Sequence, residues 1–491
     1  MTSEAQATVR NAGWILVQRA LHAGSGVVFA VLVPRLMGPG IYGRYSLLSS
    51  LSIWFLLFSG LRLTDVIARY VPEMILRDDR KGVHQLWSDL FTVRLASGVT
   101  AASVFLAVTV LWLRDLDVIV LGTMAGMILV RAIADLLFAA FLGLNRAAHW
   151  QVGETVRQWL SVGLVVVGFR LTGLRGAVLG LLLTEFAVLA LGIYWIRAHL
   201  PWPALHLDVR RSLPYLQVGL VFFASSLFHT ALGASAETLV RAITGDYAQV
   251  GYFGSAWRVF ITMALAIPQL SSAFIPLLTV LHTRGNTKLL QLWLERLLKY
   301  LAIGGMLASF GALLLAQDVL PVVLGTEYRP AAGNLVWLTL TLVPMALGEA
   351  ASLVAVVYVK PWAALRAAAI HLVAFSILAV PFVARFGSLG SSFAMFVAWV
   401  LYAAWLTWRL RMVLRYSLRE FAIVVGVGLL FLPLALLRSS WLVNACLFSL
   451  YVVGHLSVLL LTRVVTREEP TELWQAITRR GRGGDQGTVG A

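Results

Sequence analysis

Arg19, Arg131 and Arg258 stand inside long apolar runs, and Arg62 lies near the end of another. A guanidinium turned toward lipid costs on the order of several kcal/mol, so each needs either an acid or a wet internal cavity. Set free in such a cavity, arginines would do one kind of chemistry. They stay charged and present two parallel N–H donors that match the oxygens of a phosphate. Arg19 falls roughly 10 Å from the inner end of its run at ~1.5 Å per residue, and Arg131 lies at a similar depth in the fourth. Some of these charges have a partner close in sequence. Asp135 follows Arg131 by one turn, Glu237 precedes Arg241 by one turn, and Asp65 lies between Arg62 and Arg69. Such neighbours meet on a helix face and can neutralise one another, while Arg94 is placed to snorkel. Arg19 and Arg258 have no acid within a turn on their own runs. They head a candidate anion-binding set completed by Arg131, Arg62 and Arg241. Glu185, Glu237 and Glu349 are the acids inside apolar runs. They could carry a coupling proton or cation, or serve as carboxylates held by structural partners. His229 and His371 are single histidines on apolar faces and are expected to be hydrogen-bonded core residues. Gly, Ala, Ser and Thr positions are expected to serve helix packing.

The elements that position these groups are membrane spans. Of the 491 residues, 59% are hydrophobic and only 13% charged, about half the charge of a soluble domain; the mean hydropathy is +0.84. Apolar runs of 18 residues or more recur along the chain, each long enough to cross a hydrocarbon layer of ~30 Å as a helix. A β-barrel would need alternating apolar and polar residues, which stretches such as "GLVFFASSLF" exclude. The fold class is all-α: a polytopic membrane protein with about fourteen spans. They are expected near 12–34, 45–66, 89–112, 117–141, 155–170, 176–197, 214–240, 250–276, 297–316, 332–357, 366–384, 390–408, 420–437 and 441–462. The fifth is the shortest and opens on Glu154 and Arg157. Arg19 and His22 interrupt the first run, which suits a retained span better than a cleaved signal. The single cysteine, Cys446, excludes an internal disulfide and any cysteine-based metal site.

The net charge of +16 follows topology rather than nucleic acid. Loops alternately assigned to one side hold roughly 25 Lys and Arg, including "RDDRK", "RLRMVLRYSLR" and the tail, against about 9 on the other. Positive charge stays inside, so both termini are expected to be cytoplasmic, with some attraction to anionic lipid heads. "GPGIYG" (38–43) then becomes an outward-facing turn between the first two spans. Arg35, Tyr42 and Tyr45 are expected there with their polar tips in the headgroup layer.

The chain also repeats itself. Arg35 followed by "GPGIYGRY" is echoed by Arg241 followed by "GDYAQVGYF", and "FRLTGLRGAVLG" (169–180) by "ARFGSLGSSFAM" (384–395). The offsets, about 206 and 215 residues, suit two six-helix units related by an axis along the membrane normal. The expected organisation is an N-lobe at 1–197, an inter-lobe linker at 198–213 broken by Pro201 and Pro203, and a C-lobe at 214–412. Two further helices occupy 413–462, and a cytoplasmic tail 463–491. Within that tail, "TELWQAITRR" (471–480) could form a surface helix with Trp474 and Ile477 toward lipid.

"VPRLMGPGIYGRYSLLSSLSIWFLLFSGL" resembles the opening signature of polysaccharide and O-antigen flippases of the multidrug/oligosaccharidyl-lipid/polysaccharide exporter (MOP) superfamily. "FLGLNRAAHW" and "VLGTEYRPAAGNLVWL" are similar to later family segments, over roughly the first 400 residues. The resemblance implies two six-helix lobes around a central cavity and alternating access. It also implies a polyprenyl-pyrophosphate-linked glycan carried across the bacterial inner membrane, for O-antigen, lipopolysaccharide or exopolysaccharide. Lipid II is a cargo with the same pyrophosphate. A cation-coupled drug exporter would instead need acids to dominate the cavity, and a membrane glycosyltransferase or polymerase a carboxylate or His on a sizeable outer loop; the longest such loop expected, around 317–331, offers only Asp318 and Glu327. No "GxxxxGK[ST]" is present, so no self-contained ATPase is expected. Neither is a cofactor, a metal or nucleic acid. A monomer working beside a polymerase and glycosyltransferases is the expected setting.

Overall fold

The computed structural model describes residues 3–144, 146–206 and 208–465; side chains at 3–20, 22–23, 147, 209–211, 218, 221–222, 224–232 and 361 are not among those described. The surface helix expected at 471–480 therefore lies outside the described residues, as does the side chain of His229.

The first helices are α1 (Ser3–Gly60), α2 (Leu63–Leu76), α3 (Arg80–Trp112), α4 (Val118–Gly143), α5 (Ala147–Thr172), α6 (Leu174–Ile196), α7 (Val209–Thr244) and α8 (Tyr247–Ala264). They are followed by α9 (Ala266–Thr283), α10 (Thr287–Leu324), α11 (Ala331–Leu340), α12 (Leu342–Val357), α13 (Pro361–Phe386), α14 (Ser388–Arg411), α15 (Arg419–Leu430) and α16 (Trp441–Leu461). Among the described residues, eleven helical segments are long and apolar enough to cross a membrane, and the first of them, Gly24–Leu76, holds the predicted span 45–66 and the second half of 12–34. The predicted spans at 155–170 and 214–240 fall on α5 and α7. This is an all-helical polytopic membrane protein.

The Gly-Pro stretch that separates the first two runs does so with one residue. Gly38 takes φ 67° and ψ 164° inside α1, between Pro34 and Pro39, a conformation glycine reaches without a Cβ clash. The echoed segments turn in the same way. Gly245 (φ 68°) ends α7, while Gly173 (φ 65°) joins α5 to α6 and Gly387 (φ 58°) joins α13 to α14. The second predicted run, 45–66, is not one helix. It breaks at Leu61 and Arg62, which hold φ 42° and 54°, a strained conformation for residues with a Cβ. Helix α7 begins at Val209, inside the segment expected as the 198–213 linker. The outer loop expected at 317–331 is mostly helical, since α10 runs to Leu324 and a 3-10 turn covers Thr326–Tyr328.

The described helices group into two compact units. The first comprises 1–265, 320–338 and 365–401. One of its cores joins α2, α3, α4 and α6 through Leu63, Val66, Trp87, Leu90, Phe138, Phe141 and Val188. Elsewhere, small residues let backbones meet. A Cβ on Gly43 of α1 would strike the Tyr247 carbonyl, and one on Gly251 of α8 the Pro39 carbonyl. Beside this seam Tyr42 and Tyr45 are 0% and 2% exposed, with rings 6.3 Å apart and Tyr42 edge-on to Tyr328. Their expected wet tips are therefore corrected: the close approach of α1 and α8 puts them in the interior. Arg35 is exposed, within 3.3 Å of the Val322 and Val323 carbonyls.

The second unit comprises 266–319, 339–364 and, of the described residues, 402–465. Phe310 of α10 stacks on Tyr451 of α16 at 4.0 Å in an apolar cluster with Val343, Val424 and Val427. Lys299, 1% exposed, donates to the Val464 carbonyl at 2.6 Å and pairs with Glu420 at 3.1 Å. Asn444 donates to Asp318 at 2.6 Å.

Candidate functional site

A cavity of about 290 Å³ lies within the first unit. The walls come from five helices, and helical spacing selects the residues. On α5, Glu154, Arg157, Gln158 and Ser161 follow one another at i, i+3, i+4 and i+7, a single stripe. Met124, Met127 and Arg131 form a similar stripe on α4, Leu181, Thr184 and Glu185 on α6, and Tyr45, Ser49, Ser52 and Ile53 on α1; α1 adds Gly26 and Phe29, and α8 contributes Arg258.

The charges on these walls, with Asp135 and Arg94 behind them, fall into two groups. One is a knot of three guanidiniums and three carboxylates. Arg157, 6% exposed, donates to Glu154 at 2.6 Å and to Asp135 at 2.7 Å, and its Nε lies 3.2 Å from Glu185. Arg131 is held loosely, 3.8 Å from both Asp135 and Glu185. Arg94 reaches Asp135 at 3.9 Å and donates to the Ala132 carbonyl at 2.7 Å. Glu185 is 4% exposed, and its Oε2 and the Nε atoms of Arg131 and Arg157 lack a geometrically formed hydrogen bond. Buried charges survive only when paired, and this knot does that by crossing four helices.

The other group is Arg258, near Tyr42 and Tyr45 and within electrostatic reach of Glu237. Its guanidinium lies over the Phe29 ring at 5.0 Å, and it forms no ion pair within 4.0 Å among the described residues. Glu237, 4% exposed, accepts from Ser46 at 2.9 Å and does not line the cavity.

The structure thus brings Arg258, Arg131 and Glu185 together and leaves other candidates apart. Arg62 pairs with Asp65 at 3.3 Å, away from the cavity lining. Arg241 turns from Glu237 to Asp115 at 3.5 Å and stacks 4.1 Å over Tyr247, because Tyr247 and Asp115 are themselves bonded at 3.0 Å. Glu349 is half-buried in the second unit. The side chain of Arg19 lies outside the described residues. His371 is buried against Trp399, 4.5 Å between rings. No group of three or more potential metal ligands occurs among the described residues. Sequence reasoning missed Arg157 and Glu154, which had counted only against the fifth span. Their spacing with Gln158 and Ser161 was the available signal.

The model of the Polysaccharide biosynthesis protein family matches residues 8–282, more than half the chain. The chain belongs to that family. Among curated proteins no relative matches it by sequence. Among solved structures, the lipid II flippase MurJ in an inward closed conformation is similar, with a TM-score of 0.68 at 14% identity over 92% of this chain and 98% of that one. An inward-facing multidrug resistance MATE family transporter of the MOP superfamily matches with a TM-score of 0.62 at 15% identity, covering 81% of this chain and 94% of its own. A MOP superfamily transporter from Pyrococcus furiosus matches at 0.52 and 14% identity, over 83% of this chain and 93% of that one. The family member described here shares its fold with MOP-superfamily transporters.

Proposed function

We propose that this family member is a flippase. It moves a polyprenyl-pyrophosphate-linked oligosaccharide or polysaccharide repeat unit across the bacterial inner membrane by alternating access, with both termini cytoplasmic. The observation that carries the reading is the charge balance of the cavity. Three carboxylates in and behind its wall are matched by three arginines, and Arg258 is left over among the described residues, with aromatic and hydroxyl-bearing neighbours and with Glu237 beyond ion-pair distance. An unmatched guanidinium in a wet, low-dielectric chamber selects an anion, and a pyrophosphate offers the oxygens it can grip two at a time. Ser49, Ser52, Gln158, Ser161 and Thr184 offer hydrogen bonds to the sugar hydroxyls.

A drug exporter binding cations is the reading this balance disfavours, since the acids of the cavity are already taken. Lipid II remains the second reading, because its headgroup carries the same pyrophosphate and a relative in fold is a lipid II flippase. Arg19 and Arg131 extend the phosphate path, with Arg62 and Arg241 outside the cavity as steps at other depths. Glu237 and Glu349 are further candidates for ion coupling. The protein works as a monomer beside the glycosyltransferases and polymerase that make and use the glycan.

The test is transport of labelled lipid-linked oligosaccharide in proteoliposomes carrying wild type, R258A or R258K. R258A should lose at least about tenfold, the equivalent of one charge-assisted hydrogen bond, and R258K should retain part by charge alone. Full transport by R258A refutes the reading.

A further inference from the structure

The flippase reading uses Arg258 and leaves the six-membered knot unexplained. If pairing were its sole business, Arg131 would be held as tightly as Arg157. Instead Arg131 is 38% exposed, lines the cavity, and stands 3.8 Å from each of its acids. Arg157 is spoken for by Glu154 and Asp135 at hydrogen-bond distance, so Arg131 is the cation of the knot that an arriving anion can recruit.

Such recruitment unbalances what it leaves behind. Glu185 on α6 is faced by Arg131 and Asp135 from α4 and by Arg157 and Glu154 from α5, with Arg94 of α3 beyond Asp135 and Arg258 across the cavity. With Arg131 turned to a ligand, three carboxylates share Arg94 and Arg157. Glu185 is then the acid least served, because its Oε2 meets the Arg157 Nε at 3.2 Å without forming a hydrogen bond. A buried carboxylate without its counter-ion is costly, and two acids beside it add repulsion. The cavity, at about 290 Å³, has room for water molecules that would carry a proton to Glu185. The carboxylate takes one proton from hydronium, or from the acid form of the buffer behind it: the donor's bond to that hydrogen breaks as the carboxyl O–H forms, the conjugate base stays in solution, and the knot returns to zero net charge.

We propose that Glu185 is a proton-exchange site: an anionic headgroup that engages Arg131 hands Glu185 a proton, so anion binding and proton uptake occur together. The inference rests on the anion-binding reading of the cavity and names the ion that binding is coupled to. By linkage, an anion that binds with one proton loses about tenfold in affinity per pH unit across the range where Glu185 is ionised before binding.

The probe is UDP-N-acetylglucosamine, a sugar pyrophosphate diester whose phosphates do not titrate near neutrality. Calorimetry of the full chain in detergent, repeated in buffers of different ionisation enthalpy, reads the protons taken up per probe bound. Wild type should take up about one. E185Q should bind and take up about none. R131Q should bind more weakly, through Arg258, and should also take up about none, because Glu185 has lost its partner and is protonated beforehand; it covers the case in which E185Q does not fold. Binding by wild type with no proton uptake overturns the inference and leaves the anion cavity standing. Uptake unchanged in both variants overturns it too. No binding by wild type overturns the anion-binding reading, and this inference with it.

Discussion

Replacing Arg157 with methionine tests whether the knot holds helices α4, α5 and α6 together. The side chain is 6% exposed and meets Glu154 at 2.6 Å, Asp135 at 2.7 Å and Glu185 at 3.2 Å. Methionine preserves much of its volume, so the loss is chiefly of charge and donors. Asp135 and Glu185 then depend on Arg131 and Arg94 at 3.8–3.9 Å, and Glu154 has no partner left in the knot. Breaking one side of a buried ion pair costs about 3–5 kcal/mol, and R157M should fall in that range. The double variant R157M/E154Q restores charge balance and should recover about 1–2 kcal/mol, the scale of coupling between contacting groups. Unfolding by SDS in mixed micelles, followed by tryptophan fluorescence, gives both numbers; a thiol dye is unsuitable because Cys446 is exposed. If R157M lies within about 1 kcal/mol of wild type, or E154Q brings no recovery, the knot is not what ties these helices.

Three further outcomes follow from local geometry. G251A in α8 should lose about 1–3 kcal/mol by overpacking, since its Cβ runs into the Pro39 carbonyl, whereas G426A, with open space around its Cβ, should be neutral or better in the same unfolding assay. K299M should cost about 1–2 kcal/mol, because the donor to Val464 is lost, while E420Q should cost less, as that carboxylate is 41% exposed. His149, at the start of α5, is held below the ordinary histidine range by burial, then by Arg146 and His199. A depressed value means the neutral ring stabilises the fold, fully so above pH 6.5, and that stability is lost as pH falls through the folded value. Wild type should therefore lose stability relative to H149Q on acidification through that range, and parallel melting curves of the two proteins at every pH would remove His149 from the account.

The helical fold was readable because a bilayer leaves backbone polar groups few ways to be satisfied. Runs of apolar residues ended by Gly, Pro and Arg could be little else than spans, and the echoed turns proved to share a left-handed glycine, Gly38 with Gly245 and Gly173 with Gly387. What the pattern could not give was the break at Leu61 and Arg62, since neither residue favours a positive φ. The wet tips expected of Tyr42 and Tyr45 failed for a related reason. Headgroup-level tyrosines and tyrosines under a neighbouring helix look alike in one dimension, and only the glycine seam with α8 separates them.

Site charges were harder to sort because the useful question is not whether an acid lies one turn away. Arg241 has Glu237 one turn back and pairs with Asp115 instead; Arg157 has Glu154 nearby and still draws Asp135 and Glu185 from two other helices. Arg258 stands out because among the described residues it forms no ion pair, and the charge of Glu237 on α7 reaches it only from beyond ion-pair distance. Its position carries a mechanical consequence. The knot belongs to α3, α4, α5 and α6, whereas Arg258 rides on α8, which meets α1 through Gly43 and Gly251. Drawing α8 away from α1 would carry the unmatched cation off its Phe29 platform while leaving the neutral knot behind. On the proposed anion-binding reading, the site is then whole only while that seam is closed, and opening it lowers the cavity's hold on an anion.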